Sequence, residues 1–471
     1  MQKNLKYFFD SLANSYSQVF FSDSRVFALM LMLVSFADFY AGLFGITAVI
    51  VTNLAGFLIG FDRGTVAKGL YGFNSLLVGL GLGIYYEPGP VVFLVIILAS
   101  ILTLFISVSL QGVIGKYGLP YLSIPFIIVA WIVTLATREF STLGISERGI
   151  FTFNELYTLG GNPMVRLYEW WNSVEIGRAL RIYFISLGAI LFQYNALAGI
   201  VIAAGIIYHS RIAFSLSLLG FFTAYLFYEL AGATITELNY SYIGFNYILT
   251  SIAIGGFFII PSTRSYLWVI VLVPVVAILT ISLSSAFAIF SLPVYALPFN
   301  IVVLLFLYAL KFRVKPSGRL AEVIIQQNSP EKNLYSYANE MLRFRHGLVT
   351  VKLPFFGNWT VAQAHDGDIT HKGEWRHAWD FVVTDQSGLQ YKGTGDQLAD
   401  YFCYNKPVLA VADGIVESVV DNVPDNEVGS ANLRENWGNS VIIRHNDSSI
   451  PRLTTLLRAL FRLRRGEGQA G

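Results

Sequence analysis

Four stretches of the chain, residues 39–61, 88–115, 118–137 and 265–310, contain no Asp, Glu, Lys or Arg. The hydrocarbon core of a bilayer is about 30 Å thick and takes about 20 apolar helical residues to cross, so each stretch is long enough for one passage and the last for two. Apolar types make up 55% of the 471 residues and charged types only 13%. With a mean hydropathy of +0.57, most of the chain is expected to live in lipid. The opening residues lack the compact apolar core and small-residue cleavage site of a signal peptide and are expected to be mature sequence. The single Cys403 allows no internal disulfide, and a net charge of +2 points to no nucleic-acid partner.

The long apolar part carries an internal duplication. Phe73 and Asn74 of "GFN" recur 172 positions later as Phe245 and Asn246. "LPYLSIPF", with Pro120 and Pro125, recurs 173 positions later as "LPVYALPF", with Pro293 and Pro298. "QVFFSDS" around Val19 has a looser counterpart 171 positions later in "AILFQYN" around Ile190. Three blocks keep one order at nearly one spacing. Apolar segments number about five per half, and an odd number per half inverts the second copy relative to the first, which places a substrate site between the halves near the bilayer midplane. The expected fold is therefore an α-helical membrane protein of about ten transmembrane helices in two inverted five-helix repeats. Prolines inside spans break helices, and broken backbone at membrane depth survives only where it is buried in protein or lines a cavity. An unpaired amide in lipid is too costly, so Asn74 and Asn246 should face inward, either tying helices together or lining a path. Asp38 and Glu229 also interrupt apolar stretches; they are either functional carboxylates or groups at span ends that reach the interface.

The remainder divides into three. Residues 1–312 are the membrane part, with halves at about 10–140 and 178–312, and residues 313–346 form a polar linker with helical patches. From 347 to 450 the pattern turns to short β-branched runs such as "WDFVV" and "SVIIRH", broken by Gly, Asp and Asn, which reads as a small all-β C-terminal domain. Residues 451–471 form a basic tail that either lies on an anionic membrane surface or is a solvated end.

"QVFF", "GLYGFNSLLVG" and "LPYLSIPF" in the first half, with "GFN" and "LPVYALPFN" in the second, resemble the urea transporter family over about residues 10–312. The resemblance implies a channel-like protein in which each protomer has its own pore between its halves and protomers form a homotrimer. It implies that an aromatic and aliphatic slot grips flat urea while a ladder of oxygens accepts its amide hydrogens. Carried to this chain, Gln18 matches the ladder glutamine and Val19 and Phe21 the slot residues beside it. Phe73 and Leu77 match the opposing wall, and Phe245 and Leu249 repeat their spacing. Ser123 and Ala296 stand where the family has threonine, while Ala189, followed by Ile190, replaces the second polar ladder residue, with Gln193 one turn on. Ser123 keeps a hydroxyl and Ala296 does not, so half of the ladder is thinned. The expected solute is urea or a similar small neutral molecule: ammonia, a related amide or water.

"THKGEWRHAWDF", "NKPVLAVADGIVESVV" and "NWGNSVIIRH", over about residues 347–445, resemble the lysostaphin-type zinc endopeptidases that cut peptidoglycan cross-links. That resemblance implies a zinc site of one His and one Asp separated by three residues, completed from a later His-x-His pair. Here Arg376 stands four residues before Asp380, His377 has only two residues between it and Asp380, and no His-x-His follows His445. His377 and Asp380 are the metal candidates, with His371 an alternative third, and no catalytic residue is assigned. Catalytic zinc takes three protein ligands, so the domain is expected to be non-catalytic and to carry no cofactor. The competing reading is a membrane-anchored zinc endopeptidase acting on peptidoglycan.

Tracing ten crossings places Arg63, Lys68, Lys116, Arg211 and Arg264 in short loops on the side of both termini. Positive charge stays on the cytoplasmic side, so the protein is expected in the cell (inner) membrane with both termini cytoplasmic.

Overall fold

The computed structural model describes residues 2–146, 152–174, 176–232, 244–313, 320–343, 351–430, 438–445 and 454–458. The chain divides into two compact units, Met1–Asn339 and Glu340–Gly471.

The first unit is helical. In chain order its helices are α1 (Gln2–Ser17), α2 (Arg25–Ser35), α3 (Phe39–Ile59), α4 (Arg63–Ala67), α5 (Gly72–Tyr85), α6 (Pro90–Ile114) and α7 (Ile124–Ala136). Then come α8 (Thr152–Ser173, interrupted at Gly161), α9 (Arg178–Ala189), α10 (Ala196–His209), α11 (Arg211–Leu230), α12 (Gly244–Ile252), α13 (Thr263–Ala288), α14 (Leu297–Leu310) and α15 (Pro330–Arg343). The helices α3, α6, α11 and α13 are long and apolar enough to cross a bilayer, as is the pair Lys6–Phe20 and Arg25–Ser35 taken together, bent by 82°. Apolar side chains such as Leu267, Ile270, Val271 and Ile278 stand exposed on α13, a face suited to lipid rather than water. The unit is a multi-pass membrane protein.

Several other apolar helices are shorter than a bilayer. The helices α5, α10 and α14 have 14 residues each and α7 has 13. At about 1.5 Å per residue such helices fall short of a 30 Å core. At α7, α10 and α14 the cause is local, because the chain breaks just before each at a non-glycine residue in left-handed conformation: Leu122 (φ 47), Phe192 (φ 61) and Tyr295 (φ 48), as it does at Phe21 (φ 58) before α2.

Both halves use the same devices at each break. Ser24 caps α2 by accepting from the Phe27 N–H at 3.3 Å, and Asn195 caps α10 by accepting from the Ala198 N–H at 2.8 Å. Pro125 and Pro298 occupy the first turns of α7 and α14, where a missing N–H costs nothing. Gly72 and Gly244 begin α5 and α12 against serines; a Cβ at Gly72 would lie 2.1 Å from the Ser15 Oγ, and one at Gly244 would lie 2.0 Å from the Ser186 Oγ. Asp38 and Glu229 lie at helix ends. Asp38 caps α3 by accepting from the Ala41 N–H at 2.8 Å, and Glu229 is exposed in the last turn of α11.

The expected linker is partly built into the helical unit. Ile260 N–H donates to the Ala321 carbonyl and Val323 N–H to the Phe258 carbonyl, each at 2.8 Å, while Glu322 pairs with Arg313 at 3.0 Å and Lys311 at 3.4 Å.

The second unit carries small sheets rather than a continuous all-β domain. Strands β1 (Thr360–Gln363) and β2 (Asp380–Val382) pair antiparallel, and β3 (Ile415–Val420), β4 (Ser440–Arg444) and β5 (Thr454–Arg458) form an antiparallel sheet in that order. Turns at Gly357, Gly373, Gly388, Gly393, Gly395 and Gly429, all at positive φ, cut the runs short. Residues 454–458, expected in a basic tail, instead form β5 against β4. The rest of that tail, 451–453 and 459–471, lies outside the described residues.

Candidate functional site

The two repeated asparagines hold the broken segments in place. Asn74 is fully buried; its Nδ2 donates to the Leu122 carbonyl at 3.0 Å, and its Oδ1 accepts from the Phe126 N–H at 3.1 Å. Asn246 repeats both contacts, donating to the Tyr295 carbonyl at 3.1 Å and accepting from the Phe299 N–H at 3.3 Å. Each amide thus satisfies the carbonyl of a left-handed residue and an N–H in the first turn of the helix after it, groups that no helix would pair.

A cavity of about 750 Å³ lies where the two halves meet. Gln18, Val19, Phe21, Phe73, Leu77, Ser123, Ala189, Ile190, Phe245, Asn246, Leu249 and Ala296 line it, so every pore residue expected from sequence is brought together except Asn74. Asn74 acts behind the wall, as a helix tie. Phe73 with Leu77 on α5 and Phe245 with Leu249 on α12 each sit one helical turn apart, which puts each pair on one face. Phe21 stacks on Phe257 with ring centroids 4.7 Å apart, and across the cavity Phe126 meets Tyr295 at 5.0 Å.

Phe192, Tyr295, Phe257, Gln326 and Asn328 also line the cavity and were missed by sequence reasoning. The repeat spacing pointed to Phe192, which lies 171 positions after Phe21. Gln326 and Asn328 carried no sequence signal. Their segment is held at the cavity by Asn333, whose Nδ2 donates to the Phe257 carbonyl at 3.4 Å and to the Gln326 Oε1 at 3.1 Å.

Polar side chains also line the cavity, among them Gln18, Gln111, Ser123, Thr280, Ser284, Gln326 and Asn328. The Gln18 side chain has no protein partner among the described residues, which leaves both ends of its amide to a solute. Ser123 precedes α7 and its side chain makes no capping bond. Asn300 on α14 donates from Nδ2 to the Ser123 Oγ at 2.8 Å and to the Ala296 carbonyl at 2.6 Å, while its Oδ1 accepts from the Ser123 N–H at 3.1 Å. Gln193 is buried but does not line the cavity, and its Nε2 has no partner among the described residues. It does not replace the polar group missing at Ala189. Lys68 is the one charged residue among the described liners. Helices α7 and α14 both begin at the cavity wall, and helix N-termini carry partial positive charge.

In the second unit the histidine beside Asp380 is His371. Its Nε2 lies 3.2 Å from the Asp380 Oδ2, and its Nδ1 lies 2.8 Å from the Ala364 carbonyl oxygen. The expected candidate, His377, instead accepts at Nε2 from the Arg376 Nε–H at 2.9 Å. Among the described residues no group of three or more His, Cys, Asp and Glu is arranged to hold a metal ion.

An apolar-walled cavity at the junction of two halves with matching breaks and ties, inside a multi-pass helical protein, defines a membrane protein of the channel or transporter class. Residues 9–311 match the urea transporter family, and the chain belongs to that family. It is 24% identical to urea transporter 1 of Ovis aries over 304 residues, covering 64% of this chain and 76% of the sheep protein. The same shares are covered by urea transporter 1 of Capra hircus at 24% identity and of Mus musculus at 23%.

Proposed function

We propose that the protein conducts urea, or a similarly small, flat and neutral solute, passively through the cavity between its two halves. The observation that carries this is the lining: apolar side chains Phe73, Leu77, Phe245 and Leu249 stand with polar side chains, Gln18 and Ser123 among them, in one space. Family membership and the likeness to urea transporter 1 support urea as the solute.

The chemistry follows from the solute. Urea is planar and uncharged, with N–H donors on both arms and one carbonyl acceptor, so a narrow apolar slit admits it edge-on and excludes hydrated ions. Moving an amide from water into an apolar site without new hydrogen bonds costs about 2–7 kcal/mol. Gln18 and Ser123 lower that cost at the slit, and the positive ends of α7 and α14 oppose cations.

The finer architecture belongs to the same reading. The recurring breaks, caps and amide ties support two five-helix repeats, and an odd helix count per repeat inverts one relative to the other. The family resemblance supports a homotrimer with one pathway per protomer. The basic short loops support cytoplasmic termini and placement in the inner membrane. For the peptidase-like second unit we infer a non-catalytic role, since His371 and Asp380 are two ligands and catalytic zinc takes three from protein.

The test is stopped-flow light scattering of liposomes containing the full-length protein. Urea flux above that of empty liposomes, reduced by Phe73→Ala, is the expected result; flux equal to empty liposomes overturns the proposal.

A further inference from the structure

We propose that Asn300 is a positioning residue that turns the Ser123 hydroxyl into a hydrogen-bond donor for the solute's carbonyl, so that the pathway selects for a strong acceptor as well as for shape. The inference rests on the transport reading above and adds to it the polarity of one contact.

The amide of Asn300 is buried, and its orientation is pinned from both sides. The Ser123 backbone N–H can only donate, so the atom 3.1 Å from it is the amide oxygen. The Ala296 backbone carbonyl can only accept, so the atom 2.6 Å from it is the amide nitrogen. That nitrogen has two hydrogens. One goes to Ala296 and the other to the Ser123 Oγ at 2.8 Å, which obliges the hydroxyl to accept there. A hydroxyl that accepts from a fixed neighbour still has its own hydrogen to place. Ser123 makes no capping bond, and no acceptor for its hydroxyl is found among the described residues. Ser123 lines the cavity, so the hydrogen is directed at whatever occupies it.

The same amide makes the two halves unequal. At the matching position in the second half, Ala296 offers a methyl group, and its backbone carbonyl is already engaged by Asn300. At this pair of positions Ser123 therefore supplies a hydroxyl donor and Ala296 supplies no side-chain oxygen to compete for its hydrogen. The solute class this favours is a neutral molecule with a carbonyl oxygen, such as urea or a small carboxamide, over a molecule of the same plan whose acceptor is weak.

Thiourea supplies that comparison, because its sulfur accepts hydrogen bonds weakly. Urea and thiourea flux are measured in liposomes carrying the full-length protein, its Ser123→Ala, Ser123→Thr and Asn300→Leu variants, and the Ser123→Ala/Asn300→Leu double variant. The loss of one hydrogen bond predicts a fall in the urea-to-thiourea ratio on the order of tenfold in Ser123→Ala and in Asn300→Leu. Ser123→Thr should keep the parent ratio. The double variant should match the urea-to-thiourea ratio of Ser123→Ala alone, because Asn300 does not line the cavity and its side chain reaches the solute through the Ser123 hydroxyl. If Asn300→Leu does not assemble, Asn300→Ala is read in the same way. An unchanged ratio in Ser123→Ala, or a further fall when Asn300→Leu is added to it, overturns the proposal while leaving urea conduction in place. Absence of urea flux from the parent protein overturns both.

Discussion

Asn74 donates to the Leu122 carbonyl at 3.0 Å, joining the start of α5 to a left-handed residue in the loop before α7, and both partners lie in the buried core. Asn246 makes the same bond to Tyr295. These amides let the chain stop and restart inside lipid without leaving backbone groups unpaired.

Replacing Asn74 by Leu should therefore damage folding more than selectivity. Each buried backbone group left unsatisfied costs about 1–3 kcal/mol, and Asn74 serves two. Thermal unfolding in detergent should move down by several degrees, and protein that does assemble should retain its solute preference because Asn74 is not in the cavity wall.

Gln18→Leu should behave in the opposite way. Its side chain bonds to no other described residue, so the protein should assemble at the parent yield while urea flux falls on the order of tenfold, one hydrogen bond's worth. Reduced assembly with unaltered flux per protein would show that Gln18 is structural.

The contact between α9 and α10 is tight at Gly199. A Cβ there would fall 1.7 Å from the Phe184 carbonyl oxygen, which is backbone and cannot rotate aside. Gly199→Ala should cost about 1–3 kcal/mol or prevent accumulation, read as loss of monodisperse protein on size exclusion.

Glu331 couples the connector to pH. Burial pushes its carboxyl up, but hydrogen bonds from the Ile212 N–H at 2.8 Å, from Ser210 and from Ser329 outweigh this and hold it below the ordinary 4.5. A depressed carboxyl contributes stability that is fully present above the unfolded value and is lost as pH falls through the folded one. Protease sensitivity of the connector should rise below about pH 4.5, and Glu331→Gln should remove that pH dependence.

The second unit should hold no stoichiometric zinc. Full-length protein incubated with zinc and dialysed should retain well under one metal per chain and leave cross-linked peptidoglycan peptides intact. One tightly held zinc together with cleavage would restore the peptidase reading.

Lipid residence and the duplicated motifs were legible along the chain because both are local properties, the absence of charge over a span and the return of a word at a fixed interval. The repeat even contained Phe192, at the spacing that relates Val19 to Ile190. Helix lengths were not legible, because hydropathy registers apolar stretches but not the left-handed residues that end helices inside them. The sequence named His377 for Asp380, since it is the nearer in number; the turn Gly373–Trp375 and the pairing of β1 with β2 bring His371 there instead.

By itself, then, the sequence determined that this chain folds in a membrane, in two related halves, around the residues that line the cavity. Only the tertiary structure decided which polar atoms are spent on holding the fold and which are left for a solute. Asn74 and Asn300 read alike as amides in apolar spans, yet one ties backbone alone and the other also holds a hydroxyl 177 positions away. Such roles depend on distances between elements remote in the chain, which packing sets and no local pattern records.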